Sequence, residues 1–400
     1  MQVDETDVGK MIQGARVMVT GAGGSIGSEL CRQILTFLPK ELVVLGHGEN
    51  SIFYIANELR TRHGVIGEAI PIKTVIADIR DRERMNQVFK ECEPQIIFHA
   101  AAHKHVGLME INCPDAVTNN VLGTQILVDL AALYRVEKLV MISSDKAVNP
   151  TCVMGVTKRI AELVVHEAAQ RTRSAFVVVR FGNVLGSRGS VVPILKDQIR
   201  AGGPVTITHP DVTRFFMTIP EAVHLVLQAG AMGSCGETYV LDMGQPIRII
   251  DLARDLIRLS GLREGTDIDI AITGLQEGEK LHEELFYEHE RAERSVHEKI
   301  FVCRNGHDWD VGNTSDDTQN QDPNLDIAHV VVKQQESFAA TIDRLVMWAQ
   351  AGDGENVHQL LTTLVPHYQD PSSLLGNQKL AKGYGRQEDP LRQAATRVSR

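Results

Sequence analysis

The chain has 400 residues, 43% of them hydrophobic and 23% charged, a composition typical of a globular protein with one large domain or two ordinary ones. Its net charge of -10 argues against nucleic-acid binding and favours anionic ligands that are held locally by backbone N–H groups and a few arginines. Six scattered cysteines without a Cys-x-x-Cys pair suit a reducing cytoplasm, and we expect no signal peptide and no integral membrane segment, because no apolar run reaches about 20 residues.

Short apolar runs alternate with helical patterns along most of the chain. This alternation predicts an α/β fold, namely a Rossmann-like doubly wound parallel sheet with a smaller C-terminal substrate-binding portion. Several runs are almost continuous Val, Ile and Leu, as expected for strands that helices cover on both faces. The predicted strands are residues 16–20, 42–45, 72–76, 96–99, 138–142, 176–180 and 238–241, and the predicted helices are 51–62, 81–92, 116–134 and 157–171.

A glycine cluster separates the first predicted strand from the helix that follows it. Gly21, Gly24 and Gly27 have the Gly-x-x-Gly-x-x-Gly spacing, and a helical pattern begins at Ser25 and Ile26. The first glycine permits the turn, the second lets the backbone approach a pyrophosphate, and the third lets the helix pack on the strand. The helix N-terminus offers N–H groups to phosphates. An ordinary strand-to-helix turn is the alternative, but this context favours a nicotinamide dinucleotide.

Residues after the second and third strands are candidates for the adenosine end of that cofactor. The second strand ends at Gly46, where an Asp or Glu usually holds the ribose hydroxyl of NAD, and Glu49 and Asn50 follow it. No arginine stands there to hold a 2′-phosphate, so NAD and NADP both remain possible. Asp78, beside Ile79, is placed to accept a hydrogen bond from the adenine amino group, although it could instead cap the next helix.

An acid and a base candidate stand together after the fifth predicted strand. Asp145 and Lys146 follow Ser144 at the carboxyl end of this strand, and open α/β sheets bind ligands at that edge. Burial can tune such a pair toward neutral pH. A surface ion pair at the end of a strand is the alternative interpretation.

Several motifs together resemble a known family. The glycine spacing, the Ser-Ser-Asp-Lys strand end and the Met154–Lys158 spacing resemble an extended short-chain dehydrogenase/reductase. The longer stretches at residues 100–106, 144–151 and 180–190 resemble the UDP-N-acetylglucosamine 4,6-dehydratases of the polysaccharide-biosynthesis group, over about residues 14–287. The resemblance implies a lyase with tightly held NAD or NADP that makes a UDP-4-keto-6-deoxy sugar for a bacterial glycan.

The resemblance also implies roles for individual residues. Asp145, next to Ser144, would be the acid toward C6, Lys146 the base at C5, and Lys158 the contact to the nicotinamide ribose. Met154 stands where the superfamily has a tyrosine, and a thioether cannot take the C4 hydroxyl proton. The Met-containing branch resembles C5-retaining enzymes, so we expect retention. The alternatives are a C5-inverting dehydratase, a UDP-sugar 4-epimerase and a non-catalytic NAD(P)-binding regulator.

Further contacts follow from the same resemblance. Lys104 would contact sugar or phosphate, Asn183 and Arg214 would hold the diphosphate, and Glu277 and Lys280 would close the site. Ala100, Ala101 and Ala102 would lie along the cofactor, and Ser187, Arg188, Gly189, Ser190, Pro193, Thr206 and Thr208 along the nucleotide.

Metal binding and self-association complete these expectations. His99, His103 and His105 are close in sequence but lack an acidic residue at metal-ligand spacing, so we expect no metal.

Relatives form dimers or rings through the helices that carry Lys158 and residues 116–134, so we expect a homo-oligomer.

Five ranges describe the expected domain organisation. Residues 1–13 are a lead-in, and 14–182 form the NAD(P)-binding domain, to which 238–260 return. The substrate-binding portion is 183–300, where Gly and Pro interrupt the pattern. Residues 301–375 contain a polar loop at 305–322 and two short helices at 337–351 and 356–364, and the tail at 376–400 is predicted to be disordered.

Overall fold

A nine-stranded sheet lies at the centre of the protein. The computed structural model describes residues 5–63, 70–288, 290–304, 337–365 and 368. The strands are β1 (Arg16–Thr20), β2 (Glu41–Gly46), β3 (Ile72–Ile76), β4 (Ile96–His99), β5 (Lys138–Ile142), β6 (Ala175–Arg180), β7 (Asn183–Leu185), β8 (Val205–Ile207), β9 (Thr213–Arg214), β10 (Phe216–Thr218), β11 (Thr238–Leu241), β12 (Ile247–Arg248), β13 (Ile270–Ile272), β14 (Arg291–Arg294) and β15 (Ile300–Arg304). The helices are α1 (Glu5–Ile12), α2 (Ser25–Thr36), α3 (Glu49–His63), α4 (Arg82–Cys92), α5 (Val106–Ile111), α6 (Cys113–Val117), α7 (Gly123–Leu133), α8 (Val153–Thr172), α9 (Val191–Arg200), α10 (Ile219–Met232), α11 (Ile249–Leu259), and two C-terminal helices, Phe338–Gln350 and Gly354–Leu364.

The order of the strands confirms the predicted fold class. Seven parallel strands lie in the order β11-β6-β5-β4-β1-β2-β3; β15 extends the sheet antiparallel to β11, and β14 pairs antiparallel with β15 at the edge. Val19 of β1 packs in a core cluster with Leu30 of α2 and Val226 of α10. Met18, which points to the opposite face, packs with Leu127 of α7 and Val165 of α8. Helices therefore cover both faces of a doubly wound sheet.

The seven predicted strands are all present, but other elements differ from the sequence-based expectation. The sequence-based strands do not include β14 and β15; β14 is exposed along its whole length and has no apolar run, whereas β15 is a short apolar run that the predicted alternation of strands and helices does not reach. The predicted helix 116–134 is instead α6, a π-helical turn at Thr118–Leu122 and α7. Asp81, not Asp78, caps α4, since its side chain accepts from the Arg84 N–H. The predicted loop at 305–322 and tail at 376–400 lie outside the described residues.

A smaller layer covers the carboxyl edge of the sheet. It contains three two-stranded pairs, β7 with β10, β8 with β13, and β9 with β12. The buried faces of α9 and α11 share a third core cluster, in which Leu195 and Ile257 pack against Val205 of β8. This layer places residues 183–214 opposite the ends of β1, β4 and β5.

The two C-terminal helices pack against the central domain. Both predicted helices are present, and Ser337 and Asp353 cap them through bonds to backbone N–H groups. Leu345 and Leu361 are fully buried in the same cluster as α6 and α8. Among the described residues, one helical run, Cys113–Leu133, is long and apolar enough to cross a bilayer, and it is mostly buried in this core.

Candidate functional site

A cavity of about 810 Å³ lies between the carboxyl edge of the sheet and the smaller layer. It joins the glycine loop to the end of β5, and a second cavity of about 260 Å³ extends from the glycine loop along the end of β2. Their combined size suits a cofactor beside a substrate. The larger cavity is lined by the predicted residues Gly24, Ser25, Ile26, Gly27, Ala100, Ala102, Lys104, Ser144, Lys146, Met154, Lys158, Asn183, Ser187, Arg188, Gly189, Ser190, Thr206, Thr208 and Arg214.

Close backbone packing explains the glycine loop. Gly21 has a φ of +64°, and a Cβ placed there would lie 2.6 Å from the Ala101 backbone nitrogen. A Cβ on Gly27 would collide with the Gly21 carbonyl oxygen. Gly24 precedes α2 and gives its first turn no side-chain cap. The loop is therefore a backbone cradle at a helix N-terminus, which suits a dinucleotide phosphate.

The adenosine end of the cradle differs from the sequence-based expectation. Gly21, Ile79 and Ala101 line the second cavity as predicted, whereas Glu49 and Asn50 are exposed at the start of α3, outside its lining. Asp78 also lies outside the lining and is bound by Arg80, with Nη2 and Oδ2 2.7 Å apart. Sequence reasoning missed the lining residues His47, Gly48, Ser51, His103 and Asn119, which stand at no distinctive spacing.

Asp145 and Lys146 form an ion pair where β5 ends. Lys146 Nζ lies 3.0 Å from Asp145 Oδ1, which also accepts a 2.8 Å hydrogen bond from Ser144 Oγ. Asp145 is fully buried behind the cavity wall formed by Ser144, Lys146 and Gly182. Its Oδ2 has no hydrogen-bond partner among the described residues, and a Cβ on Gly182 would stand 3.2 Å from that oxygen. The carboxyl group is thus shielded from bulk solvent and lies next to Gly182, which lines the cavity.

Lys146 is held as a cation by two carboxylates. Burial by itself lowers the pKa of Lys146, but the charges of Asp145 and Glu283 outweigh it and raise this pKa above its usual range. Glu283 Oε1 lies 3.4 Å from Lys146 Nζ. Lys146 therefore needs to lose a proton before it can act as a base.

Lys158 and Met154 share the first turns of α8 and line the same cavity. Lys158 donates a 2.6 Å hydrogen bond to the Ile142 carbonyl oxygen. Burial lowers the pKa of Lys158 to about 8, against a smaller opposing effect of Glu162. These contacts fix the amine beside the end of β5.

A buried network of charged side chains contacts the residues that follow β5. Ser143 Oγ donates a 2.6 Å bond to Glu162 Oε1, and Arg180 pairs with both Glu162 and Glu290 at 2.7 and 2.8 Å. Tyr287 completes it with a 2.7 Å bond from its hydroxyl to the Ala147 carbonyl oxygen. Sequence reasoning missed these residues because they come from elements far apart in the chain.

Three of the predicted substrate contacts present polar groups to the cavity. Asn183 Nδ2 and Ser190 Oγ are buried without hydrogen-bond partners among the described residues. Lys104 Nζ lies 3.5 Å from Ser187 Oγ. Burial lowers the pKa of Lys104, and the nearby cations Arg188 and Lys146 lower it further. These groups suit a polar, anionic ligand.

The remaining predicted contacts have different positions, and Arg188 lines both cavities. Arg188 reaches the glycine loop, where its backbone N–H donates to Ser25 Oγ at 3.1 Å and its guanidinium donates to the Gly23 carbonyl. Pro193 and Glu277 do not line either of these cavities. Lys280 lines an adjoining cavity of about 300 Å³ that also borders Lys146 and Arg214.

A segment that we term the clasp, residues 278–287, closes over the turn that follows β5. Lys280 Nζ donates to the Val148 carbonyl at 2.8 Å, and Thr151 Oγ1 donates to the Gly278 carbonyl at 2.9 Å. Glu279 binds Arg214 Nη2 at 3.0 Å. The clasp thereby connects the predicted acid–base turn to the predicted diphosphate residue.

The predicted histidine cluster has another structural explanation. His99 Nδ1 lies 2.7 Å from Thr20 Oγ1 and its Nε2 lies 3.1 Å from Thr124 Oγ1. Burial lowers the pKa of His99 to about 3, so the ring is a neutral part of the core. The described residues contain no group of three or more His, Cys, Asp or Glu that could hold a metal ion.

Comparisons with known proteins place the chain among sugar-modifying relatives. The sequence model of a family described as "Polysaccharide biosynthesis protein" matches residues 17–305. The capsular polysaccharide biosynthesis protein CapD of Staphylococcus aureus is 52% identical over 302 residues, which are 75% of this chain and 50% of that protein. The chain thus spans about half the length of this relative.

More distant relatives carry two different activities in their names. A UDP-N-acetylglucosamine 4,6-dehydratase (inverting) of Campylobacter jejuni is 30% identical over 278 residues, 68% of this chain and 78% of that protein. A UDP-glucose 4-epimerase of Rickettsia bellii is 31% identical over 279 residues, 69% and 79% of the two chains. Among solved structures, Pen from Bacillus thuringiensis matches with a TM-score of 0.66 at 33% identity, covering 73% of this chain and 89% of that one.

Proposed function

Because the chain belongs to the polysaccharide biosynthesis protein family, we propose that it is a 4,6-dehydratase acting on UDP-N-acetylglucosamine. Although the Campylobacter jejuni relative is named as inverting, we propose that the configuration at C5 is retained, because Met154 resembles the Met-containing branch of retaining enzymes. The observation that carries this proposal is the Asp145–Lys146 pair: Lys146 lines the same cavity as the glycine loop, and Asp145 is bound to it directly behind the cavity wall. Removing water across C5 and C6 requires a base at C5 and an acid at the C6 oxygen. An acid and a base are present together at this edge.

The cradle fits NAD or NADP. Gly21 and Gly27 leave no space for a Cβ, and the uncapped start of α2 faces the cavity. When bound, the nicotinamide would accept a hydride from C4 of the sugar and return it to C6. We assign Lys158 to the nicotinamide ribose, because its amine is fixed beside the end of β5.

The acid and base roles require one proton to move within the ion pair. In the resting site Lys146 carries the proton and Asp145 is its counter-charge. Transfer across the 3.0 Å contact gives a neutral amine and a protonated carboxyl group without changing the net charge. Exclusion of water by a bound substrate favours this neutral pair, because desolvation disfavours charge. Lys146 can then take the C5 proton while Asp145 protonates the leaving C6 oxygen. The proton that the C4 hydroxyl gives up on oxidation returns to this pair and replaces the one that leaves in water.

Polar side chains across the cavity are suited to the UDP portion. Arg214, held at 3.0 Å by Glu279, offers a planar fork for the diphosphate. Asn183 Nδ2, which has no partner among the described residues, offers a further donor. We place the sugar near Lys104 and the nucleotide along Ser187–Ser190, Thr206 and Thr208.

A UDP-sugar 4-epimerase is the second candidate. It is favoured by the similarity to the Rickettsia bellii protein, but an epimerase needs no acid at C6. Met154 also stands where the superfamily that the chain resembles has a tyrosine, on which an epimerase usually relies. A C5-inverting dehydratase would use the same pair and differ only in the face that receives the C5 proton.

Proton NMR of the product formed from UDP-N-acetylglucosamine in heavy water tests the proposal. We expect loss of the C6 hydroxyl, a C6 methyl group, and deuterium at C5 in the original configuration. A C4-inverted sugar would establish the epimerase, and inverted C5 the inverting dehydratase. Unchanged sugar in the presence of NAD or NADP would refute all three.

A further inference from the structure

Glu283 is a buried carboxylate that the proposed chemistry does not use. Its side chain is 3% exposed, and it lines the 300 Å³ cavity together with Lys146 and Arg214. Oε1 lies 3.4 Å from Lys146 Nζ and 3.8 Å from Arg214 Nε. Oε2 has no hydrogen-bond partner among the described residues. Desolvation of a carboxylate costs several kcal/mol, so its burial here requires nearby cations that offset this cost.

The backbone around Glu283 is anchored on both sides to the turn it faces. Lys280 and Tyr287 of the clasp bind the Val148 and Ala147 carbonyl oxygens at 2.8 and 2.7 Å. These bonds fix the position of Glu283 relative to Lys146. The carboxylate therefore stands at a set distance from the amine instead of at the end of a free loop.

We propose that Glu283 is a positioning residue that holds the Lys146 amine at the cavity wall, keeps it charged in the resting enzyme and links it to Arg214. This inference rests on the proposed function, which gives Lys146 and Arg214 their roles. Because Glu283 touches both, a diphosphate that draws Arg214 toward itself alters the surroundings of the amine. The binding of the nucleotide end is thereby coupled to the acid–base end.

Other charged groups around Lys146 set the background for a pH test. Asp145 faces the amine from its own turn, and Arg214 and Lys104 face it from the smaller layer and from the loop after β4. Cys152, at the start of α8, is also near. Burial raises the pKa of the Cys152 thiol to about 12, so it stays neutral below that pH. Removing the Glu283 charge leaves Asp145 as the remaining anion beside Lys146.

Reductive methylation with formaldehyde and cyanoborohydride tests whether Glu283 keeps the Lys146 amine charged, because only a neutral amine reacts. The full chain is labelled between pH 7 and 10, and mass spectrometry follows Lys146, with the exposed Lys196 as the reagent reference. In Glu283→Gln, we expect the Lys146 rate profile to shift to lower pH by about one unit, a tenfold faster reaction at pH 9. Glu283→Asp keeps the charge and should stay near wild type, and the exposed Glu288→Gln is the matched control.

Two outcomes would overturn the inference. An unshifted Lys146 profile in a folded Glu283→Gln protein would show that the carboxylate does not hold the charge. An equal rise in Glu283→Asp, which keeps the charge, would indicate easier reagent access instead of a changed protonation state. Labelling requires no turnover, so it decides the role of Glu283 even if UDP-N-acetylglucosamine is not dehydrated.

Discussion

Arg180 and Glu162 form a bidentate ion pair in which both side chains are fully buried, with Nε to Oε1 at 2.8 Å and Nη2 to Oε2 at 2.7 Å. Glu162 also accepts from Ser143, at the end of the strand that carries Asp145. Burial by itself raises the pKa of Glu162, but Arg180 and Arg159 outweigh it and lower this pKa to about 2. The site is thus built on a charge pair in the core.

Arg180→Met should therefore destabilise the fold strongly. It leaves the Glu162 and Glu290 carboxylates buried without their shared cation, and breaking such a pair typically costs about 3–5 kcal/mol. Urea unfolding measures the loss. Arg171→Met, which removes the exposed pairs with Glu167 and Asp129, should cost less than about 1 kcal/mol. Equal effects in the two variants would contradict a structural role for the buried pair.

Asp145→Asn and Lys146→Ala should each keep the cofactor and lower turnover by about 100-fold or more, because each removes one proton-transfer group. Turnover is followed by the appearance of the C6 methyl signal, and cofactor binding by fluorescence. The exposed Lys196→Ala is the control. Wild-type turnover in either variant would remove that residue from its proposed role.

The glycine loop and the Asp145–Lys146 turn could be predicted from the sequence, because each depends on residues that are close together in the chain. The spacing of Gly21, Gly24 and Gly27 is set by contacts within one strand–turn–helix unit, so it could be identified from the sequence. Asp145 and Lys146 could be placed at the sheet edge because the end of a buried strand fixes their location.

Long-range contacts could not be predicted in the same way. Glu162, Arg180 and Glu290 come from α8, β6 and the loop before β14, and no periodic pattern joins them. Glu283 follows an acidic, polar stretch with no strand or helix signal. Asp78 follows the end of a strand, which favours a cofactor contact, but its position alone does not show that Arg80, two residues later, binds its carboxylate.

Self-association through α6–α8 stays a prediction, and the structure shows what covers that face. Leu345 and Leu361 of the C-terminal helices are buried against α6 and α8. Leu361→Ala should lower the free energy of unfolding by about 2–5 kcal/mol, as expected for a fully buried leucine. Met347→Ala, on the exposed side of the same helix pair, should have little effect in the same urea titration. A similar small loss in both variants would show that the helix pair is not docked.

Arg214→Met should raise the KM for UDP-N-acetylglucosamine more than it lowers kcat, because a diphosphate contact is present in both ground and transition states. Loss of a charged, bidentate contact is expected to cost about tenfold or more in KM. Steady-state kinetics measure both constants. The exposed Arg248→Met, in the strand paired with β9, is the control. A drop in kcat with unchanged KM would place Arg214 at the reacting end of the site.

Lys158 should make the free energy of unfolding increase with pH between about pH 8 and 10.5. The folded protein releases the Lys158 proton near pH 8, whereas the unfolded chain holds it up to about pH 10.5. The unfolded state therefore binds more protons in this window, and the stability of the wild type rises with pH through it. Lys158→Met removes this dependence. The difference in unfolding free energy between wild type and variant should thus grow in favour of wild type between pH 8 and 10.5, by on the order of 3 kcal/mol.

Urea titrations of the cofactor-free protein at several pH values measure that difference. Lys196→Met serves as the control, since its exposed amine should leave the difference flat. A flat difference for Lys158→Met would mean that the amine keeps its proton in the folded state. The hydrogen bond to the Ile142 carbonyl would then be made by an ammonium group, and the lysine would bring a positive charge to the nicotinamide ribose.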